Sequence, residues 1–127
     1  MSAGGLVWVV EDNDQNFELV DFLLGEAGHR VVRARDAGEL AGLLGGDPPD
    51  LVLLDMNLPS GSGLDLLAEL RGRERFRAVP VLAVTAHAMH GDRERFLAAG
   101  CDGYVSKPID AARLLAEVAA RVGGGGA

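Results

Sequence analysis

A chain of 127 residues has room for one buried core and is too short for a core plus a separate effector domain. Its net charge of −7 argues against duplex-DNA binding, which needs clustered Lys and Arg, and favours basic protein partners. The longest apolar run, Leu6–Val10, falls far below the roughly 20 residues that cross a bilayer, so no membrane association is expected.

Short apolar runs alternate with longer amphipathic stretches five times over, the pattern of a parallel sheet covered by helices. Met1–Gly5 has no basic region and leads straight into the first strand, Leu6–Val10, so no signal peptide is expected. In the helix that follows, Phe17, Val20, Leu24 and Ala27 recur at helical spacing, with Asn13 or Asp14 as its cap and Gly28 as its end. The second strand, Arg30–Ala34, precedes a helix over Asp36–Leu44 that Gly45 and Gly46 stop. The third strand, Leu51–Asp55, precedes a helix near Gly63–Arg71 that carries Leu64, Leu67 and Leu70. A fourth strand, Val81–Thr85, is followed by a helix over about Gly91–Ala99, and a fifth, Gly103–Ser106, by one over about Asp110–Val122. That last helix buries Leu114, Leu115, Val118 and Val122. Residues 1–122 are read as one domain and 123–127 as a flexible Gly-rich tail. The expected fold is α/β, a flavodoxin-like (βα)5 doubly wound parallel sheet of five strands in the order 2-1-3-4-5.

Parallel strands joined by right-handed crossovers put their C-terminal ends on one edge, where ligands of such sheets bind. The residues with chemistry lie at those ends: Glu11 and Asp12 after the first strand, Asp55 closing the third, Thr85 closing the fourth, and Lys107-Pro108 after the fifth. Taken singly, Glu11-Asp12, Thr85 and Lys107 have plain readings as a solvated strand end, a strand-end cap and a surface charge. Asp55, ending the apolar run Leu51–Leu54 at the mouth of the sheet, has few structural excuses. The expected order sets the first and third strands side by side, which brings three carboxylates together. At an effective dielectric near 20, each pair at a few ångströms repels by roughly 3 kcal/mol, so such a cluster calls for a cation.

The segments Val9-Val10-Glu11-Asp12-Asn13, Leu53-Leu54-Asp55-Met56-Asn57-Leu58-Pro59, Val84-Thr85-Ala86 and Gly103-Tyr104-Val105-Ser106-Lys107-Pro108, in this order, resemble the response-regulator receiver domain of two-component signalling. The likeness runs from about Leu6 to Val122. Further likeness, to single-domain cell-cycle regulators and to receivers of hybrid histidine kinases, lies in Thr85–Asp92 and Ala99–Tyr104. The resemblance implies that Asp55 is the phosphoacceptor and that Glu11, Asp12, Asp55 and the carbonyl of Asn57 hold Mg²⁺. It implies that Thr85, Ala86 and Lys107 bind the phosphoryl group, and that the Lys107–Pro108 peptide is cis. Thr85 and Tyr104 would act as a switch, Tyr104 having a plain alternative as an edge-strand residue with a wet hydroxyl. Asn57 and His87 would tune hydrolysis of the acyl phosphate. The implied partners are a sensor histidine kinase or histidine phosphotransferase and a downstream protein target reached through the fourth helix, fifth strand and fifth helix. The protein would be a signalling switch rather than a turnover enzyme, cytoplasmic, and a monomer or a phosphorylation-dependent dimer.

A Mg²⁺-dependent phosphohydrolase with an aspartyl-phosphate intermediate is the alternative. Haloacid-dehalogenase-like enzymes of that kind carry Asp-x-Asp at the end of the first strand, whereas the candidate nucleophile here closes the third. His87 and His90 have a His-x-x-His spacing, but no Cys or carboxylate completes a transition-metal set around them. Trp8 and Cys101 are expected to pack as core, and the lone cysteine suits a reducing compartment. His29 is placed in the turn into the second strand. Arg71, Arg73, Arg75 and Arg77 read as a solvated basic run, with a docking patch as the sharper alternative. Gly61 leaves the loop over 60–63 loose beside the site.

Overall fold

A computed structural model describes residues 4–58, 63–86 and 92–122. Five strands, β1 (Leu6–Val10), β2 (Arg30–Ala34), β3 (Leu51–Asp55), β4 (Val81–Thr85) and β5 (Gly103–Ser106), form one parallel sheet in the order β2-β1-β3-β4-β5. All five span the segments expected from the sequence. Helices α1 (Asp14–Glu26), α2 (Ala37–Leu43), α3 (Gly63–Arg71), α4 (Asp92–Ala99) and α5 (Ala111–Val122) connect or follow them. No helix among the described residues is long and apolar enough to cross a membrane.

Strand side chains alternate between two cores, as a pleat of period two requires. Trp8, Val10, Val52, Leu54 and Ala83 point to the side where Leu40, Leu67, Leu70, Phe76 and Phe96 pack. Val7, Val9, Leu51, Leu53, Leu82 and Val105 point to the other side, against Val20 and Leu24 of α1 and Leu114 and Val118 of α5. Because both faces of β1 and β3 are covered, their interiors are continuous apolar runs, and the first polar residue after each run falls at the sheet's edge. Trp8 is core, its ring 5.6 Å from that of Phe76, and Cys101 is buried, with burial pushing its thiol up to about 11.

Helix ends adjust the expected boundaries by a residue or so. Asn13 rather than Asp14 caps α1, its side chain accepting from the Asn16 amide at 2.9 Å. The helix closes at Glu26, so Ala27 leaves the apolar stripe and is exposed, and Gly28 turns the chain at φ 92°. Asp36 caps α2 from outside it. In α3 the fully packed residues are Leu66, Leu67 and Leu70, with Leu64 only partly covered. A Cβ on Gly63 would lie 2.6 Å from Met56 Cα and 2.9 Å from Asp55 O, so α3 begins pressed against the end of β3. His29 does sit in the turn into β2, where its Nδ1 accepts from the Gly5 amide at 3.1 Å.

Of the four arginines at and after the end of α3, Arg73 and Arg77 are exposed as a solvated run would be, whereas Arg71 and Arg75 bond to backbone carbonyls. Arg71 donates from Nε and Nη2 to the Gly100 carbonyl and from Nη1 to the carbonyls of Phe76, Arg77 and Val79, and pairs with Asp102 at 3.1 Å. Asp102 in turn accepts from the Val81 amide at 2.8 Å. Arg75 donates to the carbonyls of Leu44 and Gly46. The planar guanidinium answers loop carbonyls that no helix or strand ladder can reach, a pattern that a list of charges does not reveal. Arg71→Ala is expected to cost about 2–4 kcal/mol in urea unfolding and Arg71→Lys to recover less than half of that, while exposed Arg73→Ala stays within about 0.5 kcal/mol. Equal midpoints for Arg71→Ala and wild type would refute the staple.

Candidate phosphoacceptor and metal site

Among the described residues, the buried polar or charged side chains are Glu11, Asp55 and Thr85, at 4%, 2% and 1% exposure. All three stand at the C-terminal ends of neighbouring strands. The register explains the meeting: Val10 pairs with Leu54, so Glu11 follows on beside Asp55, and Asp55 pairs with Val84, one residue before Thr85. Thr85 pairs with Ser106, and the Lys107 amide donates to the Thr85 carbonyl at 2.8 Å, which brings Lys107 to the same edge. The Lys107–Pro108 peptide bond is cis.

Each acid is held differently. Asp55 Oδ1 accepts from the Asn57 amide at 2.9 Å, and its Oδ2 lies 3.3 Å from Lys107 Nζ. Glu11 accepts from the Asn13 amide at 3.1 Å, and its other oxygen is 3.5 Å from the same ammonium. Asp12 is exposed. One carboxylate oxygen from each of Glu11, Asp12 and Asp55 lies within 4.8 Å of the others. Val9, Val20, Leu53 and Ile109 line a small pocket with Glu11 and Asp55, and the burial of both carboxylates weakens solvent screening of their charges. Burial, and then the hydrogen bond and charge of Asp55, push the Glu11 carboxyl up to about 7, against the pull of the Asn13 amide and Lys107. One ammonium does not compensate three carboxylates, and this donor set of hard oxygens suits a small divalent cation.

Asn57 has two contacts here, because its Oδ1 also accepts from the Ala86 amide at 3.1 Å. Tyr104 is partly buried on the same face of the sheet as Thr85, opposite small Ala83. The Arg113 guanidinium stands 5.4 Å from its ring centre. His87 and His90, Pro59, the loop around Gly61 and the tail 123–127 lie outside the described residues.

One residue at the site went unnoticed in the sequence. Arg33 of β2 donates to the carbonyls of Glu11 and Asp12, at 3.0 and 3.2 Å. The available signal was a charge set between Val32 and Ala34, in the apolar stretch that follows Arg30 in the strand.

Comparison with known proteins agrees with this geometry. Residues 7–119 match the family described as the response regulator receiver domain. The chain is 40% identical over 117 residues to the polar-differentiation response regulator DivK of Brucella ovis, covering 92% of this chain and 95% of that one. The receiver domain of a sensor histidine kinase from Pseudomonas aeruginosa, solved with a magnesium ion coordinated in its active-site cleft, is 33% identical. It superposes with a TM-score of 0.85 over 94% of this chain and 98% of that one. The signal receiver domain of a histidine kinase from Syntrophus aciditrophicus gives 28% identity and a TM-score of 0.85, over 94% and 91% of the two chains. A partly buried acid cluster at the C-terminal strand edge of a 2-1-3-4-5 sheet, and likeness along nearly the whole chain, place this protein in the response regulator receiver domain family of two-component signalling.

Proposed function

We propose that Asp55 accepts a phosphoryl group from a phosphohistidine on a sensor histidine kinase or histidine phosphotransferase, and that the change is read by a downstream protein target. The observation that carries this reading is a buried carboxylate at a strand end, fixed by a backbone amide, within reach of an ammonium and flanked by two further acids. An Asp55 oxygen attacks phosphorus, the P–O bond forms as the P–N bond breaks, and the bonding pair returns to the imidazole. Glu11, Asp12, Asp55 and the main-chain carbonyl of Asn57 are the groups that would hold Mg²⁺, in line with the strained charge of Glu11. Bound there, the ion supplies charge neutralisation to the transferred group's oxygens.

The chain's own donors complete the cradle. Lys107 trades its contact with Asp55 for a phosphoryl oxygen, and the Thr85 hydroxyl and Ala86 amide donate to others. For Ala86 this requires leaving Asn57 Oδ1, so a contact of the unmodified state competes with one of the modified state. Thr85 drawn toward the phosphoryl group leaves room on its face for Tyr104 to turn inward beside Ala83, altering the surface of α4, β5 and α5.

After incubation with acetyl phosphate and Mg²⁺, mass spectrometry is expected to show a gain of about 80 Da in wild type and none in Asp55→Ala. An equal gain in both proteins would move the acceptor elsewhere. Beryllofluoride, a phosphoryl mimic, should shift the amide resonances of Tyr104 and α4, and spectra unchanged there would remove the proposed switch.

The Glu11 carboxyl gives a pH dependence of definite sign. Its folded pKa of about 7 exceeds the ordinary 4.5, so the fold holds this proton more tightly than the unfolded chain does. Its contribution to stability is complete below the unfolded value and is lost as pH rises through the folded one. In EDTA, Glu11→Gln should therefore gain in melting temperature over wild type progressively between about pH 4.5 and about pH 7.5, with Mg²⁺ narrowing the difference. A gap that stays flat with pH, read by thermal unfolding, would count against a strained Glu11.

A further inference from the structure

Burial and an amide fix Glu11, and burial, an amide and an ammonium fix Asp55, but Asp12 is exposed and gains no such support from packing. Its carboxylate is aimed by its own backbone. The β1–β2 ladder ends where the Glu11 amide donates to the Ala34 carbonyl, so the next two carbonyls, of Glu11 and Asp12, lie beyond it. Those carbonyls belong to the peptide units on either side of Asp12. Arg33 bonds both, Nε to Glu11 O at 3.0 Å and Nη2 to Asp12 O at 3.2 Å.

The guanidinium is itself locked. Nη1 pairs with Asp14 Oδ1 at 2.8 Å, its carbon lies 4.6 Å from the Phe17 ring centre, and the side chain is 15% exposed. Each of its three nitrogens has a different partner on the strand-to-helix turn, a fit for a planar fork that a lysine ammonium cannot reproduce. A cation beside a helix N-terminus runs against the helix dipole, and Asp14 offsets that opposition.

We propose that Arg33 is a positioning residue for the metal site: by pinning both peptide planes that flank Asp12, it sets that carboxylate at coordinating distance from Glu11 and Asp55. The inference rests on the reading that this cluster takes Mg²⁺. A purely electrostatic role for Arg33 has the opposite sign, because a cation near the site repels a divalent ion and its removal would tighten binding.

Titrating the full chain with MgCl₂ and following amide shifts separates the two. Arg33→Ala and Arg33→Lys are expected to bind Mg²⁺ about tenfold or more weakly than wild type. Arg35→Ala, which removes an exposed charge 3.9 Å from Asp14, should stay within about twofold. In EDTA the Asp12 and Asn13 amides should already be displaced in the Arg33 variants and unmoved in Arg35→Ala. Unchanged or tighter binding by a folded Arg33→Ala overturns the proposal, and Arg33→Lys decides in the same way should the alanine variant fail to fold. Absence of Mg²⁺ uptake by wild type overturns the metal assignment itself, and this inference with it.

Discussion

The molecule is organised around a repulsion. Two buried carboxylates, Glu11 and Asp55, face each other at the end of adjacent strands with a third acid, Asp12, beside them and one ammonium between them. Apolar walls keep the local dielectric low, which raises the cost of that crowding and also raises the attraction for any incoming cation. A core of ordinary hydrophobic packing can hold such a cluster only if the backbone around it is rigid. The five-stranded ladder supplies that rigidity, and Asn57, Asn13 and Arg33 extend it by a residue or two beyond the strand ends.

The parallel sheet does two jobs at once. Its covered faces bury a continuous apolar run in β1, β3 and β4, which fixes register, since a slip of one residue would exchange the two cores. Register then fixes chemistry. A one-residue slip of β3 against β1 would carry Asp55 to the opposite face from Glu11 and Lys107. Stability of the fold and assembly of the site are therefore the same requirement, met by the same pairing of Val10 with Leu54.

What a linear reading can reach follows from how each residue is determined. The strands were legible because short apolar runs bounded by polar residues have one solution in a doubly wound sheet, and Asp55 was legible because it ends such a run. Long-range contacts of long side chains were not. Arg71 and Arg33 both act through backbone carbonyls far along the chain, and nothing in the spacing of charges separates a guanidinium on a carbonyl from one in water. Ala27 missed its stripe for a local reason: the turn that frees Gly28 for a positive φ also ends the helix one residue earlier.

Arg71 also has a mechanical consequence. Through it the carbonyls of Phe76, Val79 and Gly100 converge on one guanidinium, and Asp102 links that same group to the first amide of β4. The lower rim of the sheet, where β4 and β5 begin, is thereby clamped to the ends of α3 and α4. The starts of β4 and β5 therefore share a single guanidinium and carboxylate pair, so neither strand can leave the sheet at that rim without breaking bonds held by the other's flanking loop.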